Sequence, residues 1–322
     1  MRAIVVTELG EPDVLVLRNV PEPVPARGQA LVRLHAAGVN FSETERRRGV
    51  YRTPIFPWIP GSEGAGLVEA VGPETDASWI GKRVAFWAME GVSGTYAELC
   101  VAPVEALVVL PAEISFPTGA ALLLQGLTAY GLVHIVARAE AGMTVLIHAA
   151  GGGVGRIAIQ LARRLGARML GTASTRKKRT AITEVGGEAF AYGADLAGRV
   201  RAATDGRGVD VVLDSVGRET QAASLACLAT FGRLIFFGDA SGPPEPFDPG
   251  ALYDRCLSVG AYVLNAPHPP GFFERARRKL IAAVVEGWLD LRIAQVIPLA
   301  DAAQAHRRLE SRKVAGKLVL GI

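Results

Sequence analysis

The feature that most constrains this chain is a glycine-rich junction at residues 145–158, which reads Val-Leu-Ile-His-Ala-Ala-Gly-Gly-Gly-Val-Gly-Arg-Ile-Ala. It follows an apolar run typical of a strand and opens a segment with apolar residues at helical spacing. This is the context that a dinucleotide fingerprint requires, and two registers fit: Ala150-x-Gly152-x-x-Gly155 and Gly153-x-Gly155-x-x-Ala158. Residues without side chains let the backbone approach a pyrophosphate, whose charge the helix N-terminus stabilises. We therefore interpret the junction as a nucleotide-binding loop rather than as a plain tight turn.

From residue 144 onward, short apolar strands alternate with helical segments. The predicted strands are 144–148, 168–173, 189–192, 209–213 and 233–237. The predicted helices are 154–165, 176–185, 195–204 and 219–228. Such alternation builds a parallel, doubly wound sheet. A loop rich in Pro and Gly follows, and then a predicted strand at 258–263, a long helix at 271–286 and a closing strand at 317–320.

The first hundred residues differ, because short runs of Val, Leu and Ala are punctuated there by Pro and Gly. Strands are predicted at 3–7, 30–36, 66–71 and 96–101. One helix is predicted at 41–49, and Ser42, Glu43, Glu45 and its arginines are expected to form an exposed face. Two styles of sequence within 322 residues indicate two domains. A hydrophobic content of 50% excludes a disordered chain.

The stretch between Glu113 and Arg138 contains no charged residue, which raises the question of a membrane span. It contains Pro117, Gln125 and His134, and no comparably apolar segment accompanies it. A buried helix at a domain junction is therefore favoured, and no membrane association is expected.

Charge and cysteine content narrow the function classes further. The net charge is only +4, and the basic runs at 46–48 and 176–179 are interpreted as solvated helix faces, so no nucleic-acid partner is expected. The three cysteines form no Cys-x-x-Cys pair, which argues against a disulfide framework or a zinc ribbon. The N-terminus lacks the features of a signal peptide. A cytoplasmic location follows as an expectation.

The second strand of the alternating region indicates which nucleotide is bound. An NAD site usually places Asp or Glu about 20 residues beyond the glycines, where it holds the ribose 2′-hydroxyl. Here the strand ends Gly171-Thr-Ala-Ser-Thr-Arg-Lys-Lys178, with no carboxylate. Hydroxyl groups followed by a basic cluster suit a 2′-phosphate, through charge-assisted hydrogen bonds. The pattern predicts NADPH rather than NADH; the alternative is a helix that merely begins with exposed basic residues.

Motifs distributed over the whole chain carry a family resemblance. They are Ala37-Gly-Val-Asn-Phe41, Gly61-Ser-Glu-Gly-Ala-Gly66, Gln125-Gly-Leu-Thr-Ala129, the run from His148 to Gly155, Asp214-Ser-Val-Gly217, Phe237-Gly-Asp239 and Ala315-Gly-Lys-Leu-Val319. In this order they resemble the quinone oxidoreductases, the zeta-crystallin-like family in the zinc-independent branch of the medium-chain dehydrogenase/reductase superfamily. The resemblance implies an α/β fold in which a GroES-like, β-rich catalytic domain, residues 1–118 and 262–322, receives a Rossmann domain, residues 119–261. It also favours the register that begins at Ala150.

The same resemblance bears on metal chemistry. Zinc-dependent relatives carry a Cys and a His at the positions that hold Asn40 and Ser62 here. Three scattered cysteines cannot supply the four thiolates of a structural zinc site. The five histidines show no H-E-x-x-H pairing. We therefore predict catalysis without a metal.

The resemblance further implies roles for individual residues. Asn40 and Tyr51 would be catalytic, with Tyr51 as a hydrogen-bond or proton donor; the alternatives are an ordinary half-buried tyrosine and, for Asn40, an N-cap of the helix that begins at Phe41. The substrate pocket would be lined by Asn40, Tyr51, Gln125 and Leu264. The cofactor would contact Thr128, Gly152, Gly153, Val154, Gly155, Ser174, Arg176, Lys178, Tyr192, Ser215, Val216, Phe237, Gly238 and Lys317. The family commonly has Asp where Glu43 stands, so a longer side chain is expected at the pocket rim.

Without a metal, reduction depends on an acceptor that takes hydride readily and on groups that stabilise or protonate the resulting oxygen. The leading expectation is an NADPH:quinone reductase, and the alternative is an NADPH-dependent enone or enoyl (2-alkenal) reductase. A distant alternative is an RNA-binding protein regulated by NADPH. The resemblance also implies a homodimer, formed by edge strands near 234–238 or 258–263.

Overall fold

The computed structural model describes residues 1–88 and 90–322. The strands are β1 Arg2–Val5, β2 Val16–Asn19, β3 Gln29–Val39, β4 Glu63–Val71, β5 Arg83–Trp87, β6 Leu99–Pro103, β7 Leu107–Val109, β8 Thr144–Ile147, β9 Arg168–Thr172, β10 Glu188–Phe190, β11 Val209–Asp214, β12 Leu228–Phe236, β13 Ser258–Ala261, β14 Ile293–Pro298 and β15 Lys317–Gly321. The helices are α1 Phe41–Arg47, α2 Phe116–Gly131, α3 Gly153–Arg164, α4 Arg176–Thr183, α5 Leu196–Ala203, α6 Gln221–Cys227, α7 Gly250–Tyr253, α8 Phe272–Val285 and α9 Ala302–Glu310.

The chain divides into two compact units. Unit 1 comprises Met1–Leu124 and Phe273–Ile322, and unit 2 comprises Gln125–Phe272. The boundaries fall inside α2 and α8. The functional domains predicted from the sequence, which divide after residues 118 and 261, stay a prediction.

Unit 2 contains a six-stranded sheet in the order β10-β9-β8-β11-β12-β13, whose neighbouring strands are all parallel. The predicted parallel, Rossmann-like sheet is confirmed. Its central strands are nearly continuous apolar runs because both faces are covered; all four residues of β8 are buried. Chain order reverses between β8 and β11, and at such a switch point the loops beyond the strand ends diverge and leave a crevice for a ligand.

The order of strands in this sheet bears on the two predicted dimer contacts. Strand β12 is hydrogen-bonded to β11 on one side and to β13 on the other. The predicted pairing of two copies through 234–238 is therefore wrong for residues 234–236, because these residues already pair with β11 on one side and with β13 on the other. Strand β13 is the terminal strand of the sheet and offers its outer side.

Unit 1 is built on a mainly antiparallel seven-stranded sheet that joins both ends of the chain. Strand β3 pairs with β4 and β6 from the N-terminal segment and with β15 from the C-terminal tail. Apolar side chains of β3 pack into a buried cluster with those of β4, β5 and β6. This arrangement agrees with the GroES-like domain implied by the resemblance.

Helix α1 corrects one prediction about exposure. Glu43 and Arg47 are buried, so the expected solvated face is wrong at these two positions. The Arg47 guanidinium donates to Gly10 O at 2.9 Å and to Glu310 Oε1 at 2.6 Å. Because Arg47 is buried against these partners, the basic run at 46–48 does not form a continuous exposed patch.

The uncharged stretch forms a core helix. Residues Phe116–Val136 are long and apolar enough to cross a membrane. An 18-residue window within them has a mean hydropathy of 1.5, and 67% of that window is buried inside the protein. The favoured interpretation, a buried helix, agrees with this burial.

Candidate cofactor-binding and catalytic sites

The predicted nucleotide loop connects β8 to α3 and is held by close backbone contacts. Ala149 has a φ of +51°, a conformation that residues with a side chain adopt rarely. A Cβ at Gly155 would lie only 2.5 Å from Ala150 Cα, so a glycine is required there. This is the close helix–strand packing assigned to the third glycine of the fingerprint, and it supports the register that begins at Ala150. Gly152 lies at the N-cap of α3, whose first-turn N–H groups have no intrahelical acceptor.

The side chain of Gln125 covers the next residue of the loop. A Cβ at Gly153 would lie only 2.3 Å from Cδ of the Gln125 side chain, so it would overlap the Gln125 amide. The structure therefore brings together Gln125, predicted for the substrate pocket, and Gly153, predicted for the cofactor.

The predicted 2′-phosphate group lies beside the same loop. A Cβ at Gly151 would lie 2.8 Å from Lys178 Cβ, so the stem of Lys178 packs directly against the loop. Thr175 caps α4 and accepts a hydrogen bond from Lys178 N at 3.2 Å, and Ser174 and Arg176 are exposed on either side of this cap. Tyr192 reaches the loop from beyond β10, where its hydroxyl accepts a 2.9 Å hydrogen bond from Ala149 N.

A buried hydrogen-bond network next to the nucleotide loop was not predicted from the sequence. It joins Asp214, Ser224, His148 and Thr172. Ser224 donates to Asp214 at 2.7 Å, so its oxygen is free to accept from His148 Nε2 at 2.9 Å. His148 Nδ1 then accepts from the Thr172 hydroxyl at 2.8 Å. Burial lowers the pKa of His148, against the attraction of Asp214, and the ring is thus a neutral imidazole. Its fixed ring stacks against Tyr192 at 5.9 Å and so positions that side chain.

Asp214 also shapes the loop after β11. Its Oδ1 accepts hydrogen bonds from Val216 N at 2.8 Å and from Gly217 N at 3.1 Å. Ser215 O accepts from Ala240 N at 3.2 Å, which joins this loop to the segment containing Phe237 and Gly238. Three predicted residues of unit 2 remain. Val154 on α3 and Thr128 on α2 are half-buried, and Leu264, beyond β13, is buried.

The residues present in unit 2 fit a dinucleotide. The predicted loops follow the carboxyl ends of four adjacent parallel strands, β9, β8, β11 and β12. They combine a tight glycine turn with the N–H groups at the start of α3 and with Lys178, whose stem packs on that turn. Backbone N–H groups at a helix N-terminus suit a pyrophosphate, and a lysine ammonium group suits a 2′-phosphate.

A second cluster, centred on Asn40, lies in unit 1. The register of β15 against β3 pairs Leu318 with Val39 and so brings Lys317 opposite Asn40. Asn40 Nδ2 donates to Glu63 Oε1 at 3.0 Å, and Lys317 Nζ donates to the same oxygen at 2.6 Å and to Asn40 Oδ1. A Cβ at Gly38 would overlap the Glu63 carboxylate, so this glycine makes room for the cluster.

This cluster is almost fully buried, with Lys317 1% and Glu63 0% exposed. Glu63 Oε2 accepts from Leu124 N at 2.9 Å, so both carboxylate oxygens have donors. The predicted cofactor contact of Lys317 stays a prediction, and its ammonium group is already committed to Asn40 and Glu63. Asn40 is held in one orientation as a result.

Two further predictions near Asn40 are corrected. Asn40 stands at the N-cap of α1, but its side chain makes no capping hydrogen bond, because both amide atoms bind Glu63 and Lys317. Glu43 does not lie on a rim: it is 2% exposed and accepts a 2.9 Å hydrogen bond from Ser62 Oγ. Burial raises the pKa of Glu43 to about 7, although Lys317 and Ser62 oppose the rise.

Tyr51 lies four residues beyond the end of α1. It is half-buried, and the Arg52 guanidinium carbon lies 5.7 Å from its ring centroid. Its predicted role as a donor stays a prediction.

Possible metal ligands are described over residues 1–88 and 90–322. In that part of the chain, no group of three or more His, Cys, Asp or Glu side chains is placed to hold a metal ion.

One sequence pattern could have indicated the buried cluster around Asn40. Glu63 is a charged residue in a strand of small residues, Glu-Gly-Ala-Gly, and such a residue is buried only when it is paired. Its partner Lys317 lies 254 residues away, and local patterns cannot reveal that pairing.

Comparison with known proteins shows which family this chain resembles over its whole length. Residues 186–320 match the zinc-binding dehydrogenase family, and residues 26–112 match the alcohol dehydrogenase GroES-like domain. The chain is 38% identical to the quinone oxidoreductase of Pseudomonas aeruginosa over 319 residues, which cover 97% of this chain and 96% of that protein. It is 34% identical to the 2-haloacrylate reductase of a Burkholderia species over 332 residues, with 99% and 98% covered. Among solved structures, the Escherichia coli quinone oxidoreductase complexed with NADPH is similar, with a TM-score of 0.94, 34% identity and complete coverage of both chains.

Proposed function

Since this chain belongs to the zinc-independent quinone oxidoreductase family of medium-chain dehydrogenase/reductases, we propose that it is an NADPH:quinone oxidoreductase. The observation that carries the cofactor choice is the loop of unit 2, where the Lys178 stem packs on Gly151 and the end of β9 carries no carboxylate. The substrate class follows from the relatives, several of which are quinone oxidoreductases.

Binding is assigned to residues as follows. Gly152, Gly153, Val154 and Gly155 would bind the pyrophosphate through backbone N–H groups and the N-terminus of α3. Ser174, Arg176, Lys178 and Tyr192 would bind the 2′-phosphate, and Thr128, Ser215, Val216, Phe237 and Gly238 would contact the remaining cofactor. Bound NADPH supplies a hydride. The chain's own task is to orient the acceptor and to stabilise the charge that develops on its oxygen.

Asn40 is suited to that task because its amide is fixed by Glu63 and Lys317 before any substrate arrives. Such preorganised donors need no rearrangement as charge develops. Tyr51 would provide a second donor, and Gln125 and Leu264 stay proposed substrate contacts.

A second candidate function is the reduction of an α,β-unsaturated carbonyl compound. It is favoured by the 2-haloacrylate reductase relative, whose name describes an activated alkene substrate. Both functions require the same hydride donor, and they differ in the atom that finally receives a proton.

We expect the purified protein to oxidise NADPH in the presence of a simple quinone such as 1,4-benzoquinone. NADH should be at least about 10-fold less efficient, because one charge-assisted contact contributes about 1.5–3 kcal/mol. The measurement is NADPH absorbance, with products identified and a short-chain enone assayed alongside. Conversion of the enone to a saturated ketone with equal or better efficiency would favour the second candidate, and turnover of neither would contradict both.

The proposal includes a homodimer and a cytoplasmic location. Strand β13 offers its outer edge. Phe231, whose N–H donates to Arg255 O, and Tyr253, which precedes that strand in the chain, both have exposed aromatic side chains. Such exposed apolar side chains and unpaired edges typify interfaces. The three cysteines are free thiols, which suits a reducing compartment.

Light scattering of the purified protein is expected to give about twice the 33.9 kDa chain mass. A mass equal to one chain at micromolar concentration would contradict the dimer and leave the enzymatic proposal intact.

A further inference from the structure

Two buried carboxyl groups, those of Glu43 and Glu63, share one buried cation near Asn40. That cation, the Lys317 ammonium, contacts Glu63 directly. The buried Arg47 guanidinium, one turn further along α1, is paired with Glu310 instead. Two carboxylates that share Lys317 therefore leave one negative charge in a site removed from water, and such a pair resolves the conflict by keeping one proton.

The hydrogen-bond partners show which carboxyl keeps the proton. Glu63 receives bonds from Asn40, Lys317 and Leu124, which is the environment of an ionised carboxylate. Glu43 receives one bond, from the Ser62 hydroxyl, while its Oε2 is buried and has no hydrogen-bond partner. An unpartnered oxygen is tolerated far better on a neutral carboxyl group than on a carboxylate.

The Ser62 hydroxyl is hydrogen-bonded to Glu43 Oε1 and is chemically able to pass a proton on. A hydroxyl both donates and accepts, so a neutral Glu43 can donate from Oε1 to Ser62 Oγ and free the Ser62 proton for another acceptor. The Ser62 side chain is slightly more exposed than that of Glu43, at 7% against 2%. In the sequence, Ser62 directly precedes Glu63, which binds Asn40.

We propose that Glu43 is kept as a neutral carboxylic acid and delivers, through Ser62, the proton that completes reduction of the quinone. The inference deepens the proposed function and rests on it. The quinone is reduced to hydroquinone by the hydride of NADPH, which leaves as NADP⁺. As charge develops on the quinone oxygen, the Ser62 O–H bond breaks and the new hydroquinone O–H bond forms. The Glu43 O–H bond breaks to restore the Ser62 hydroxyl, and Glu43 regains a proton from water.

The charged and titratable groups around Glu43 determine the pH range of this relay. Lys317 of β15 attracts the anion, whereas Glu63 of β4 repels it; Arg46 of α1 and Tyr96, before β6, also interact with it electrostatically. Burial outweighs the attraction, and the pKa of Glu43 is about 7. Because the acid form is the donor, kcat for quinone is expected to fall as the pH rises above about 7.

The test combines kinetics with infrared spectra of the full-length protein without added ligands. The wild type should show a carboxylic C=O band near neutral pH that disappears on alkalinisation and is missing in Glu43→Gln. The same variant should have about 100-fold lower kcat at pH 6 and no fall in kcat at higher pH, with a KM for quinone close to that of the wild type. Glu43→Asp should recover most of the rate, and Glu45→Gln, on the same helix, should match the wild type.

Ser62→Ala separates storage of the proton from its delivery. Loss of the Ser62 bond removes a stabilising contact to the anion, so the carboxylic band should persist to higher pH while kcat falls. A wild-type spectrum without the band, or a Glu43→Gln variant with the wild-type pH profile, would overturn the proposal. If the wild type reduced no quinone, the proposed function and the delivery step would both fail, and the infrared band would still show whether Glu43 holds the proton.

Discussion

Lys178→Met is expected to lower kcat/KM for NADPH by about 30-fold and to leave kcat/KM for NADH within about 3-fold of the wild type. Methionine keeps the aliphatic stem that packs against Gly151, so the loop is preserved and only the charge is removed. A charge-assisted hydrogen bond contributes about 1.5–3 kcal/mol, and each 1.4 kcal/mol corresponds to about tenfold in efficiency. Steady-state kinetics with both nucleotides measure the change in preference.

Lys177→Met is the matched control. Lys177 is exposed and precedes Lys178 on α4, so its side chain leaves the helix about 100° away. It should alter neither efficiency by more than about 2-fold. If Lys178→Met lowered the efficiencies with NADPH and NADH equally, Lys178 would act on the loop rather than on a 2′-phosphate. An unchanged preference would move the phosphate contact to Arg176 or Ser174.

The regions that could be predicted from sequence are those in which neighbouring residues determine the structure. Strand β8 was predicted at 144–148 and lies at Thr144–Ile147, because an apolar run bounded by glycines is covered on both faces of a parallel sheet. Helix α4 was predicted at 176–185 and lies at Arg176–Thr183, because Thr175 caps it. The nucleotide loop belongs to the same category, since its glycines, strand and helix are contiguous.

The features that were missed depend on partners distant in sequence. Arg47 looked like a surface residue because its partner Glu310 lies 263 residues away, on helix α9, which was not predicted. Asn40 was recognised as a site residue, but the Glu63 and Lys317 contacts that orient it depend on the order of strands in the sheet. Glu43 was expected on the pocket rim because its side chain is longer than the Asp common in the family. Its hydrogen bond to Ser62, 19 residues away, could not be read from local sequence. Local composition specifies each element, whereas strand register determines which polar groups meet.

Lys317→Met is expected to lower the free energy of unfolding by about 3–5 kcal/mol and to abolish most quinone reduction. Removing one partner leaves the buried Glu63 carboxylate without its cation, and an uncompensated buried charge costs about that much. Asn40 loses the donor to its Oδ1 at the same time, so the amide is no longer held in one orientation. Denaturant unfolding at pH 7.5, with activity measured on the folded protein, gives both quantities.

An exposed ion pair on the same sheet provides the control. Arg33 of β3 and Glu69 of β4 form a cross-strand pair with side chains 48% and 36% exposed. Arg33→Met should cost at most about 1 kcal/mol, because solvent screens exposed pairs. The double variant Glu63→Gln with Lys317→Met removes both buried charges and should recover at least half of the lost stability while remaining inactive. Equal costs for Lys317→Met and Arg33→Met would contradict the buried-pair argument.

The cost of Lys317→Met should also grow with pH. Lys317 lowers the pKa of Glu43, so its removal raises that pKa further above about 7. A carboxyl group whose pKa is higher in the folded than in the unfolded protein contributes stability that is present at low pH and lost as the pH rises through the folded pKa. The difference in unfolding free energy between wild type and variant should therefore be larger at pH 8 than at pH 6. A difference independent of pH would mean that Glu43 does not sense Lys317, and it would remove the electrostatic link between the buried ion pair and the proton on Glu43.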